Sequence, residues 1–172
     1  MKKLITGMAI AACFLVACNG SVSVKTDAGT SAAEKNKQTA LASEEAFNKH
    51  DPAGVVKDCA TDFADYGSSD MRVMKNIDSI KTGLKDFMAA FPDYKGENLM
   101  AVADSNTVIV TGTWSGTFKN EYMKMKPTGK AVKFFDADIY TFNKDGKITS
   151  HRSVQSEATF FAQLGIPMPE KK

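Results

Sequence analysis

The feature that most constrains the fold is a change of hydrophobic period near the middle of the chain. Up to Pro92 the apolar residues recur at helical spacing. The best example is Ile77, Ile80, Leu84, Phe87, Met88 and Phe91, which fall on one helix face. Beyond Pro92, residues 96–103, 107–119, 131–143 and 147–156 read as strands. Turn signals separate them at Asp104-Ser105-Asn106, Pro127-Thr128-Gly129 and Lys144-Asp145-Gly146. Helix formers over 35–49 make a first helix. Asp51 as cap and Pro52 as first residue begin a second that runs through Val55, Val56 and Cys59. An extended piece at Phe63 to Tyr66 follows, and a last short helix carries Ala158, Phe160, Phe161 and Leu164. Helices followed by consecutive strands predict an α+β fold, a curved antiparallel sheet wrapped around helices to form a cone-shaped pocket.

The N-terminus is of a different kind. Lys2 and Lys3 precede an apolar run from Leu4 to Ala17, too short for a membrane span and suited to a secretory signal. Leu15-Val16-Ala17-Cys18 resembles the bacterial lipobox, which implies cleavage before Cys18 and lipidation of that cysteine. The expected division is a signal peptide over 1–17, lipidated Cys18 and a flexible tether over 18–34, and one domain over 35–172. Asn19 follows the cysteine, and by resemblance to enteric lipoproteins this implies anchoring in the outer membrane, facing the periplasm. Loss of the signal removes two of the 22 basic residues and none of the 20 acids, leaving a near-neutral domain. With no basic block, nucleic acid is not an expected partner. Cys59 alone then remains of the three cysteines, so no internal disulfide is expected, and its apolar setting reads as core.

Four segments carry a resemblance to a known family: Phe87 to Asp93 (FMAAFPD), Gly112 to Phe118 (GTWSGTF), Pro127-Thr128-Gly129-Lys130 with the strand after it and Asp145-Gly146-Lys147-Ile148, and Gln163-Leu164-Gly165. In this order and spacing the chain resembles the SnoaL-like polyketide cyclases, within the nuclear transport factor 2-like superfamily, over about residues 37–166. The resemblance implies a base that removes a proton beside a carbonyl. Its position falls at Ser156, a family histidine at Phe118 and the usual tryptophan of the last strand at Arg152, so the family's catalytic side chains are not expected here. A register shift of one residue would put Glu157 at the base position.

Strand alternation groups Trp114, Gly116 and Phe118 on one face. Val132, Phe134, Asp136, Asp138, Tyr140 and Phe142 share a second, and Ser150, Arg152, Val154 and Ser156 a third. The family places these faces inward. That gives Trp114, Phe118, Phe134 and Tyr140 as an aromatic lining, with Phe63, Tyr66 and Ser156 as further ligand contacts. It also puts Arg152 beside Asp138, either as an ion pair that only satisfies the interior or as a clamp for a carboxylate or enol oxygen. Asp138, Arg152 and Glu157 are the candidate catalytic residues. His151 then alternates outward, and His50 reads as a solvated helix end. Asp136 and Asp138 share a strand face without supporting ligands, and neither a metal nor a cofactor is expected. The loop 119–130, with Met123 and Met125, reads as a soft lid or a dimer contact. Three functions fit: a lipid-anchored domain binding a small apolar or amphipathic molecule, an ester cyclase or isomerase acting on a carbonyl substrate, or a homodimerising interaction module. The first is the leading expectation.

Overall fold

The Ser31 hydroxyl accepts from the Glu34 amide and caps helix α1 (Ala32–Asn48). The structure is a computed structural model that describes residues 31–68 and 73–168. The expected signal segment, Cys18, most of the expected tether and Met71 lie outside the described residues. Helix α1 starts three residues inside the expected tether, because Ser31 supplies the cap there. After α1 come α2 (Pro52–Val55), β1 (Cys59–Asp65), α3 (Ile77–Ala90), β2 (Lys95–Asp104), β3 (Thr107–Thr117), β4 (Ala131–Phe142), β5 (Ile148–Ser153) and α4 (Glu157–Leu164). No helix among the described residues is long and apolar enough to cross a membrane.

The five strands form one sheet in the order β1-β5-β4-β3-β2. β2 to β5 are antiparallel neighbours, as expected, whereas β1 lies parallel to β5 and makes the sheet mixed. This edge also corrects the second helix. α2 stops at Val55, and Cys59 opens a strand because the Asp58 carbonyl accepts from the Ile148 amide at 2.9 Å. A four-residue helix gains little from its own hydrogen bonds, so the pairing with distant β5 decides the local structure.

The core has two aromatic-rich halves. One gathers Ala40, Phe63, Ile80, Val108, Val110, Tyr140, Phe142 and Ile148. The other gathers Phe91, Tyr94, Trp114, Phe118, Val132 and Leu164. Inner-face glycines of β3 let large rings lie on the sheet: a Cβ at Gly116 would stand 2.6 Å from the Tyr94 ring and 2.8 Å from its Cα.

Candidate functional site

The site grows from the alternation of β4. Val132, Asp136, Asp138, Tyr140 and Phe142 are buried in turn, the inward face read from the sequence. On β5 the alternation breaks. Phe142 pairs with Ile148 and Thr141 with Ser150, so Thr149 is an extra residue, a β-bulge. The Thr141 hydroxyl bonds both neighbours, at 2.9 Å to Thr149 Oγ1 and 2.6 Å to Ser150 Oγ. Past the bulge the parity is reversed. His151 lies opposite Tyr140 and Ser153 opposite Asp138 on the inner face, and Arg152 lies opposite Ile139 on the outer face.

This overturns the expected Asp138–Arg152 pair. His151 takes the place assigned to Arg152. Its Nε2 is 3.1 Å from Asp138 Oδ1, and its Nδ1 is 3.0 Å from Asp65 Oδ1 on β1. The Arg152 guanidinium stands 4.6 Å from the centre of the Tyr66 ring. Ser153 donates to Asp136 Oδ2 at 2.7 Å, and the Ala137 amide donates to Asp136 Oδ1 at 2.7 Å. Helix α1 adds Glu44, only 3 % exposed, which accepts from the Tyr140 hydroxyl at 2.7 Å.

These contacts set the charges. Burial alone would lower the His151 pKa, but the hydrogen bonds and charges of Asp138 and Asp65 raise it to about 10. The ring is therefore an imidazolium donating from both nitrogens at neutral pH. Burial works to raise the Asp65 carboxyl, but the His151 contact and the Gly67 amide hold it below its ordinary value. Glu44 moves the other way: burial first, then the Asp138 charge, push it up to about 8, so it is mostly the neutral acid at pH 7. Burial also raises Asp136, against the Ser153 hydrogen bond.

The cluster lines a cavity of about 710 Å³, within the range of small-molecule sites. The opposite wall is aromatic. Phe47 meets Trp114 edge-on at 5.7 Å between ring centres, Tyr94 stacks on Trp114 at 6.0 Å, and Phe87 meets Tyr94 edge-on at 4.9 Å. Tyr122 and Met123, from the connection after β3, line the same cavity.

The sequence model of SnoaL-like polyketide cyclases matches residues 37–164. The chain belongs to the SnoaL-like polyketide cyclase family. Solved structures agree in fold. AclR, a candidate hydroxylase from Streptomyces galilaeus, is 26% identical at a TM-score of 0.66, with 78% of this chain and 99% of that chain covered. A candidate polyketide cyclase from Xanthomonas campestris is 15% identical at a TM-score of 0.70, covering 78% and 99%. One from Jannaschia is also 15% identical at 0.70, covering 81% and 97%. No curated protein matches the chain.

Within this SnoaL-like domain the expected site residues divide. Asp138, Phe63, Tyr66, Trp114, Tyr140 and Glu157 line the cavity. Glu157 is exposed at the edge, accepting from Ser68 Oγ at 3.1 Å. Phe118 is not among the lining residues: it is fully buried and stacked on Phe91 at 5.1 Å. Phe134 packs near Phe160 instead, and exposed Ser156 caps α4 by accepting from the Thr159 amide. His50 is half-buried with its Nε2 3.1 Å from the Tyr94 carbonyl, which corrects the solvated helix end. Cys59 lines the cavity, but burial and then the Asp65 charge push its thiol up to about 12, so it stays protonated.

Sequence reasoning missed His151, Glu44 and Asp65. Glu44 did leave a signal. Ala40, Ser43, Glu44 and Phe47 recur at helical spacing on the face of α1 that meets the core, and an acid in such a stripe marks a buried polar site. His151 left none, because one extra residue in a strand reverses every later side chain.

Proposed function

We propose that this protein is an acid–base catalyst acting on the carbon beside a carbonyl group in an apolar substrate. The observation that carries this reading is the titratable cluster inside the cavity: His151 bonded to both Asp138 and Asp65, near a buried Glu44 whose carboxyl is pushed up by burial. An aromatic cavity without shifted groups would have favoured simple binding; shifted groups in a cleft favour chemistry. Asp138 takes the proton from the α-carbon, and the C–H electron pair moves into the enol system. The carbonyl oxygen gains a hydrogen bond, and then the proton, from Glu44. Tyr140 donates to Glu44 Oε1 and orients that acid. His151 is a positioning residue that fixes Asp138 Oδ1 by a hydrogen bond. The enol carbon then attacks a second carbonyl in a cyclase, or is reprotonated elsewhere in an isomerase. The polyketide-cyclase family supports a carbonyl substrate. By resemblance the usual family positions fall at Ser156 and Phe118, and in this reading the proton work lies on β4 and α1 instead.

The test is solvent-deuterium exchange followed by proton NMR with α-tetralone, whose α-protons exchange slowly at neutral pH. The wild type is expected to accelerate exchange over buffer, and Asp138→Asn to lose most of that rate. No acceleration, or equal acceleration by Asp138→Asn, overturns the assignment.

We also propose that the domain is membrane-anchored through lipidated Cys18 on the periplasmic face of an outer membrane. Lys2, Lys3, the apolar run and Leu15-Val16-Ala17-Cys18 support this. Mass spectrometry of the N-terminal peptide is expected to show acyl chains on Cys18, and Cys18→Ser is expected to release the protein from membranes. An unmodified cysteine on a soluble protein overturns it.

A homodimer through the outer face of the sheet is the third part of the proposal. Met100, Val102 and Phe135 are about two-thirds exposed there, beside Ile109, Ala137 and Ile139. A patch centred on uncharged side chains meets its own copy about a twofold axis with little like-charge repulsion.

A further inference from the structure

The charge-bearing side chains in the cavity wall are one-sided. Among the described residues that line it, the carboxyls are Glu44, Asp65, Asp86, Asp136, Asp138 and Glu157, the cation is His151, and there is no Lys or Arg. Counting Glu44 as neutral and His151 as fully charged leaves five carboxyls against one imidazolium. Arg152, opposite Ile139 in the ladder, is not among the lining residues, and its guanidinium lies over the Tyr66 ring. A carboxylate or phosphate entering this cavity meets repulsion and gives up its water.

A second observation comes from Trp114. Its side chain is buried to 4 % exposure, and its indole Nε1 has no hydrogen-bond partner. The six-membered ring lies against Gly96 of β2, where an added Cβ would stand 2.6 Å from Cζ3, so the Nε1 edge is turned away from β2. Asp136 shares this inner face, two residue pairs along the β3–β4 ladder. An aromatic wall beside a carboxylate favours an organic cation, through ring faces and direct charge together.

We propose that the ligand is an organic cation: an amine on an apolar frame, with its ammonium between Asp136 and the aromatic wall. This deepens the acid–base reading, on which only the presence of a carbonyl on the same frame rests. The preference for positive charge stands on the cavity wall itself.

Three probes with one frame test it: 2-(1-naphthyl)ethylamine, 2-(1-naphthyl)ethanol and 1-naphthylacetate, titrated by calorimetry at pH 7. The amine is expected to bind at least about tenfold tighter than the alcohol, and the acetate more weakly than either. Asp136→Asn is expected to remove most of the amine's advantage while the alcohol's affinity changes little. Equal binding of amine and alcohol, tighter binding of the acetate, or no binding by any probe at millimolar concentration overturns the proposal. The wild-type comparison stands alone if the variant does not fold. Loss of charge preference with α-tetralone exchange intact would sink this inference and leave the acid–base reading; the reverse pattern would do the opposite.

Discussion

His151 Nε2 lies 3.1 Å from Asp138 Oδ1, across the β4–β5 ladder from a residue that strict alternation would have placed beside Arg152. The same ring reaches Asp65 on β1 at 3.0 Å, so one imidazolium ties together three adjacent strands. Each strand contributes one group, and the three meet because β1 runs parallel to β5 at the sheet edge.

Asp65 reports on this link. His151 holds its carboxyl below the ordinary value against the opposing effect of burial. In His151→Gln the burial remains and the cation is gone. The Asp65 carboxyl is expected to rise, because burial then acts without the opposing cation. Carbon-13 NMR titration of the side-chain carboxyls measures it; an unmoved Asp65 would mean that the Gly67 amide alone holds it down.

Stability should fall as the solution becomes alkaline. Glu44 has a folded pKa of about 8 against an ordinary 4.5, and His151 about 10 against 6.5. Both are raised, so the folded state holds protons that the unfolded state releases. The Glu44 contribution is fully present below about pH 4.5 and lost up to about pH 8. The His151 contribution is fully present below about pH 6.5 and lost up to about pH 10. The melting temperature is expected to drop across pH 4.5–10, most steeply between about 6.5 and 8, where both contributions are being lost. Glu44→Gln, which imitates the neutral acid, should match wild type near pH 4 and exceed it at pH 9. A flat profile by differential scanning calorimetry counts against both assignments.

Two glycines should respond with opposite signs. Gly116→Ala drives a Cβ into the Tyr94 ring and backbone, which cannot both move, and is expected to cost about 1–3 kcal/mol. Gly83, inside α3, has nothing within 4 Å of an added Cβ, and Gly83→Ala is expected to gain about 0.5–1 kcal/mol. Urea unfolding separates the two.

The proposed dimer has a direct test. Phe135 is 68% exposed at the centre of the outer sheet face. Phe135→Asp puts a like charge on both sides of a twofold interface. Sedimentation velocity is expected to show a dimer for wild type and a monomer for the variant. A monomeric wild type at tens of micromolar removes the outer face as an interface.

Much of the fold was legible because its signals are local. Ile77 to Phe91 announce α3 through periodicity, and β2, β3 and β4 lie where alternation and turn residues put them. The inward face of β4, with Asp136, Asp138 and Tyr140, follows from the two-residue period of a strand. The sequence by itself therefore determined the α+β class, the family resemblance and half of the cavity wall.

Tertiary structure decided the rest. Whether Cys59 ended a helix or began a strand depended on β5, almost ninety residues away. The bulge at Thr149 depended on the match between β4 and β5, and that single residue exchanged Arg152 for His151 at the site. The shifts of Glu44 and His151 depended on which carboxylates packing brought within reach and how much water it removed. Side-chain period is written in neighbouring residues, whereas register, burial and charge coupling exist only between segments that folding brings together.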